Sequence, residues 1–161
     1  MSSWTEFETA EPDLASRVRA RFERTGLALM ATIRADGSPR ISGVEPLFTL
    51  GDLYLGMMPQ GRKSADLQRD PRLALHNATV DKAVLEGDVK ISGRAETVTD
   101  PDTRSAYRAA FEAENGEAPP EGEIDLWSVD IGEIAVLSPA GDHLRIETWR
   151  PGRPRHEIKR Y

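Results

Sequence analysis

Leu14, Val18 and Phe22 recur every fourth position, the spacing of one apolar face of a helix, and Gly26 stands where such a helix would stop. The first element expected is therefore an amphipathic helix, spanning 12–26 with its stop. The period then changes. In "LALMATIRADGSPRISGVEPLFTLGDLYLGMM" three apolar runs are separated by Asp36-Gly37 and Gly51-Asp52. Both pairs tolerate the positive φ of hairpin turns, so strands are expected at 27–34, 40–50 and 53–58. Pro46 lacks the N–H that a ladder needs, which puts a bulge or a sheet edge in the second of them.

A short helix is expected over 64–69, ended by Pro71 because the residue before a proline avoids the helical region. Strands follow at 72–79 and 88–99, the latter alternating Val89 and Ile91 with Lys90 and Ser92 and kinked at Gly93. The clearest helix runs from Pro101, behind the cap Asp100, to Asn115-Gly116, with Ala106, Tyr107, Ala110 and Phe111 on one face. After a loop rich in Pro, Gly and Glu at 117–123, two or three strands surround the turn Ala140-Gly141-Asp142. The ending "RPGRPRHEIKRY" reads as an arm, 150–161, that a partner surface would order. Hairpin-linked strands with helices as inserts imply one α+β domain over 1–161, a small antiparallel barrel at 27–149, because a parallel sheet would need helical crossovers.

Composition narrows the chemistry. The 161 residues contain no cysteine, which excludes disulfides, thiolate-bound zinc, iron–sulfur clusters and thiol catalysis. The start of the chain has no basic flank or apolar core, and the longest apolar run, 26–31, is too short to span a bilayer. A cytoplasmic protein with no membrane partner is expected, and a net charge of -6 argues against a nucleic-acid partner. The charge is segregated: Arg17, Arg19, Arg21, Arg24, Arg34 and Arg40 lie early, whereas Glu112, Glu114, Glu117, Glu121, Glu123 and Asp125 crowd a later segment.

His76, His143 and His156 show no ligand spacing, so no metal site is expected. No nucleophile elbow, P-loop or Gly-x-Gly-x-x-Gly motif occurs. No catalytic acid or base stands out among the many carboxylates. One local signal remains, in "GRKSADLQRDPRLALH": Arg62, Lys63 and Ser64 combine guanidinium, ammonium and hydroxyl donors with the free N–H groups of a helix start, a set suited to phosphate. Taken alone, that tripeptide also suits an ordinary solvated surface.

The order and spacing of "ATIRADGSPR", "GRKSADLQRDPR" and "ISGRAE" resemble the pyridoxamine 5'-phosphate oxidase-like family, the flavin- or deazaflavin-binding split β-barrels, over about residues 14–115. The resemblance implies an antiparallel split β-barrel of six to eight strands with flanking helices. It also implies a homodimer with FMN, or alternatively F420, at the subunit interface, and hydride transfer to or from a small organic substrate. By position, Arg62 and Lys63 would grip the phosphate with help from Ser64. Arg40, Ile41 and Ser42 would lie along the ring or ribityl chain, and the backbone of Gly56 and Met57 would meet the ring edge. Trp149 and Arg155 would shape a pocket across the interface.

Two departures bear on substrate. Asp88 stands where true oxidases of this family often carry Gln, and their Arg-x-His-Asp-Arg motif is not reproduced by "GRPRHEIK", so vitamin B6 oxidation is not implied. Two other readings stay open. The acidic tail of F420 would suit the cations of the first helix, and a non-catalytic module would hold a flavin, or a haem on His76 or His143.

Overall fold

The first helix is one that apolar periodicity does not announce. In the computed structural model, which describes residues 2–119 and 123–161, α1 (Trp4–Ala10) rests on a capping box. Ser3 Oγ accepts from Glu6 N at 3.2 Å, and the Glu6 carboxylate accepts from Ser3 N at 2.8 Å. Trp4 and Phe7 are buried, each burial contributing roughly 1.5–3 kcal/mol. Pro12 then opens α2 (Pro12–Glu23), which buries Leu14, Val18 and Phe22 as their spacing requires.

The remaining elements are β1 (Ala28–Ile33), β2 (Pro39–Val44), β3 (Pro46–Thr49), β4 (Asp52–Met57), α3 (Arg62–Arg69), β5 (Arg72–Asn77) and β6 (Asp88–Thr97), followed by α4 (Pro101–Asn115), β7 (Asp125–Ala140), β8 (His143–Trp149) and β9 (His156–Arg160). Among the described residues there are nine strands, one more than the expected upper limit, and every ladder is antiparallel. The extra strand is β9. The ending expected as an arm folds back through a turn at Gly152 (φ +70°) and pairs with β8, so no partner surface is needed to order it. Of the acidic segment, Glu121 lies outside the described residues.

The sheet runs β2-β1-β5-β6-β7-β4-β3, with β8 and β9 extending from the second half of the long β7. Its two end strands, β2 and β3, are consecutive in the chain. The expected strand at 40–50 is therefore two strands: Pro46, unable to donate, begins an edge strand that leaves β1 and pairs only with β4. β2 comes alongside β4 without a ladder between them, so the barrel stays open along that seam. This is an α+β split β-barrel with flanking helices. Between Ser92 and Gly93 the β6–β7 register shifts, leaving Gly132 of β7 without a partner, and a side chain at Gly93 would strike the Asp130 carbonyl, which is why glycine stands opposite the bulge.

One core fills the barrel and extends beneath α1 and α2, joining Phe22, Met30, Phe48, Leu55, Leu75, Ile91, Ile131 and Ile134. A smaller cluster of Tyr54, Tyr107 and Leu126 lies under α4, on the other face of β4 and β7. No described helix is long and apolar enough to cross a membrane.

Candidate functional site

α3 lies along the open seam, and a buried carboxylate fixes it there. Asp66 projects inward from α3, 3% exposed, and accepts from Arg40 Nε of β2 at 2.6 Å, Thr32 Oγ1 of β1 at 2.9 Å and Arg69 Nη2 at 3.1 Å. The Arg40 guanidinium, with help from Thr32 and Arg69, holds the Asp66 carboxyl down to about 2. Arg69 also donates to the Ile33 carbonyl at 2.6 Å, so the middle and the C-terminal end of the helix are tied to the first hairpin.

The first turn of α3 carries the cations. Gly61 is the N-cap and has no side chain to cap with, which leaves the first-turn N–H groups open to a ligand. Arg62 is exposed and has no hydrogen-bond or ion-pair partner among the described residues. Lys63 reaches across the seam and donates from Nζ to the Gly43 carbonyl at 2.7 Å. Burial lowers the pKa of this ammonium, against the opposing influence of Glu45. Among the described residues, neither cation forms an ion pair with a carboxylate.

Across the seam, β3 pairs with β4 only as far as Leu55, while β7 pairs with β4 as far as Met57. Beyond Leu55 the β3 side of β4 is therefore unpaired, next to Gly56 and Met57, and backbone groups there are free for a flat polar ring. The Met57 side chain turns into the core. Gly56 faces Tyr107 of α4, whose hydroxyl occupies the space that a Cβ would need. Burial pushes Tyr107 up to about 12.

The other expected site residues divide between the seam and the rest of the molecule. Arg40 and Ser42 lie on one face of β2 with Val44, but Arg40 is engaged by Asp66. Ile41 points the opposite way and is 73% exposed. Ser64 is fully buried, and its hydroxyl donates to Asp125 Oδ2 at 2.5 Å rather than facing a ligand. Trp149 is 4% exposed and packs against Phe7, ring centroids 4.8 Å apart, so it belongs to the core. Arg155 pairs with Glu11 and Glu147 of its own chain, each at 3.4 Å.

Asp88 is also engaged, accepting from Thr79 Oγ1 at 2.8 Å and lying 3.6 Å from His76 Nε2. The other ring nitrogen of His76 is 2.6 Å from the Asn77 carbonyl. His143 stands apart on the β7–β8 hairpin beside Asp142. The cations of α2 and of its C-cap are paired within the chain: Arg17 with Glu147, Arg19 with Glu8, and Arg21 and Arg24 with Glu86.

Sequence reasoning passed over Asp66, Tyr107 as a contact of Gly56, and Asp125 as a partner of Ser64. Only Asp66 left a trace, as a carboxylate one helical turn before Arg69.

The family model described as pyridoxamine 5'-phosphate oxidase matches residues 14–138. No curated protein matches the sequence significantly. Solved structures of similar fold include Campylobacter jejuni ChuZ, with a TM-score of 0.72 at 11% identity, covering 88% of this chain and 61% of that one. A heme binding protein from Mycobacterium smegmatis matches with a TM-score of 0.62 at 17% identity, over 84% of this chain and 57% of the other. A pyridoxamine 5'-phosphate oxidase-related, FMN binding protein from Nostoc punctiforme matches with a TM-score of 0.66 at 12% identity, over 94% and 96% of the two chains. The chain thus covers less than two thirds of the first two proteins, and at these identities the likeness is one of fold.

Proposed function

The chain belongs to the pyridoxamine 5'-phosphate oxidase family, and we propose that it is an oxidoreductase using a phosphate-bearing flavin, FMN, or the deazaflavin F420, at the open seam of the barrel. The observation that carries this reading is the pair Arg62 and Lys63. They are two adjacent cations without a carboxylate ion-pair partner among the described residues, at a helix start with no side-chain cap, and Lys63 reaches β2 at the open seam. The residues fit the group: cations and free N–H groups suit a phosphate, and a strand edge with apolar neighbours suits a planar heterocycle.

When bound, the cofactor supplies hydride transfer; this chain supplies binding and orientation. Lys63 and Arg62 hold the phosphate, the β4 edge near Gly56 and Met57 sets the ring, and Asp66 positions α3. Ile41 and Leu29, 73% and 49% exposed on adjacent strands β2 and β1, form an apolar face that a second copy covers in a homodimer. The haem reading is weaker because both nitrogens of His76 lie beside other polar groups.

Titration of the purified protein with FMN and with F420, followed by fluorescence, tests the assignment. Arg62→Ala/Lys63→Ala is expected to lose about 1.5–3 kcal/mol of binding free energy per charge-assisted contact while melting like the parent. A double variant that binds both compounds like the parent would remove the phosphate seat from this site.

A further inference from the structure

Asp125 is a carboxylate lodged beside the proposed phosphate seat. Its place is fixed by the first residue pair of the β4–β7 ladder, Met57 with Asp125. Its Oδ2 accepts from Ser64 Oγ at 2.5 Å and from Gln60 N at 3.2 Å, so it touches the chain on both sides of Gly61–Lys63. Gln60 adopts a positive φ of 58°, unusual for a residue with a side chain, in the turn that presents its N–H to this carboxylate.

Two consequences follow for any phosphate on the open N–H groups of α3. The Ser64 hydroxyl, which would otherwise be a donor at the helix start, is already engaged and fully buried. The charge of the surroundings is also close to balanced. Arg62 and Lys63 bring two positive charges, while Asp125 and Glu45, whose field reaches Lys63, bring two negative ones. A group seated on the Ser64 N–H would lie roughly 5 Å from the Asp125 carboxylate, which by itself disfavours each further negative charge on the order of tenfold in affinity and so offsets part of the attraction of Arg62 and Lys63.

We propose that Asp125 is a specificity-determining residue that removes most of this seat's preference for a doubly charged phosphomonoester, so that a singly charged phosphodiester is accepted as well. The proposal rests on the phosphate seat assigned above and decides what that seat selects. FMN carries a monoester and F420 a diester, so the levelling admits the second class of cofactor through its phosphate rather than through its acidic tail.

Riboflavin, FMN and the monomethyl ester of FMN share one ring system and differ in phosphate charge, which makes them suitable probes for fluorescence titration of the whole chain at pH 8. The parent is expected to bind FMN and its methyl ester with similar affinity, and Asp125→Asn, which keeps the side-chain shape, is expected to shift the ratio about tenfold in favour of FMN. An ester-to-FMN ratio that Asp125→Asn leaves unchanged overturns the proposal.

A second measurement uses pH. Lowering the pH from 8 to 5.5 protonates the FMN monoester, whose second pKa is about 6, and should bring its affinity in Asp125→Asn back down to that of the ester. A ratio independent of pH in that variant also overturns the proposal. The two readings fail separately. If Arg62→Ala/Lys63→Ala loses affinity for FMN and its ester while Asp125→Asn leaves their ratio untouched, the seat stands and only the role of Asp125 falls. If the double variant binds both like the parent, the seat falls too.

Discussion

Replacing Asp66 with Asn tests whether one carboxylate holds α3 against the barrel seam. The native group is 3% exposed and accepts hydrogen bonds from Arg40, Thr32 and Arg69. Its pKa is lowered from 3.8 to about 2, chiefly by the Arg40 hydrogen bond. A difference of about 1.8 between unfolded and folded states corresponds to about 2.5 kcal/mol of stability. Because the folded value is the lower one, that contribution is fully present above about pH 4 and is lost as the pH falls through about 2. Asp66→Asn should therefore cost about 2.5 kcal/mol at pH 7, and Asp66→Ala about 3–5, because Arg40 would keep a partly buried charge without its partner.

Urea denaturation of parent and Asn variant between pH 7 and pH 2 reads this directly. The stability gap should be widest at neutral pH and close as the parent's own carboxyl protonates. A gap that stays constant with pH, or one below about 0.5 kcal/mol at pH 7, would show that the network does not stabilise through its charge. Cofactor binding supplies a second reading. If α3 depends on Asp66 for its position, the Asn variant should lose affinity for FMN or F420 although Arg62 and Lys63 are intact.

Two further expectations come from packing. Gly56→Ala would drive a methyl group into the Tyr107 hydroxyl and should cost about 1–3 kcal/mol in a urea melt. Adding Tyr107→Phe, which deletes only that hydroxyl, should restore most of it, and a double variant as unstable as Gly56→Ala would mean that the strain lies elsewhere. Ile41→Glu places a charge on the exposed apolar face of β2 and should convert a dimer to a monomer in sedimentation without lowering helix content. A parent that sediments as a monomer would refute the interface model outright.

Much of the fold could be read along the chain because the signals are local. The spacing of Leu14, Val18 and Phe22 gave α2, and Asp100-Pro101 with Gly116 gave α4. Asp36-Gly37 and Gly51-Asp52 gave two hairpin turns, and Gly93 marked where the β6–β7 register shifts. Each depends on backbone preferences within a few residues, which sequence carries directly. α1 escaped because seven residues are too few for periodicity, although Ser3 and Glu6 form a legible capping box. That omission had a distant effect. Trp149 reads as a pocket aromatic until Phe7 of α1 is seen to cover it.

The candidate site divides along the same line. Sequence by itself determined that Arg62 and Lys63 stand together at a helix start after the third expected strand, 53–58. Only the tertiary structure decided which cations remain open to a ligand. Arg40 is claimed by Asp66, 26 residues away, Arg17 by Glu147, 130 residues away, and the Ser64 hydroxyl by Asp125, 61 residues away. Ion pairs and hydrogen bonds form only within a few ångströms, and for groups so far apart in the chain that distance is set by how the sheet closes, not by any run of neighbouring residues.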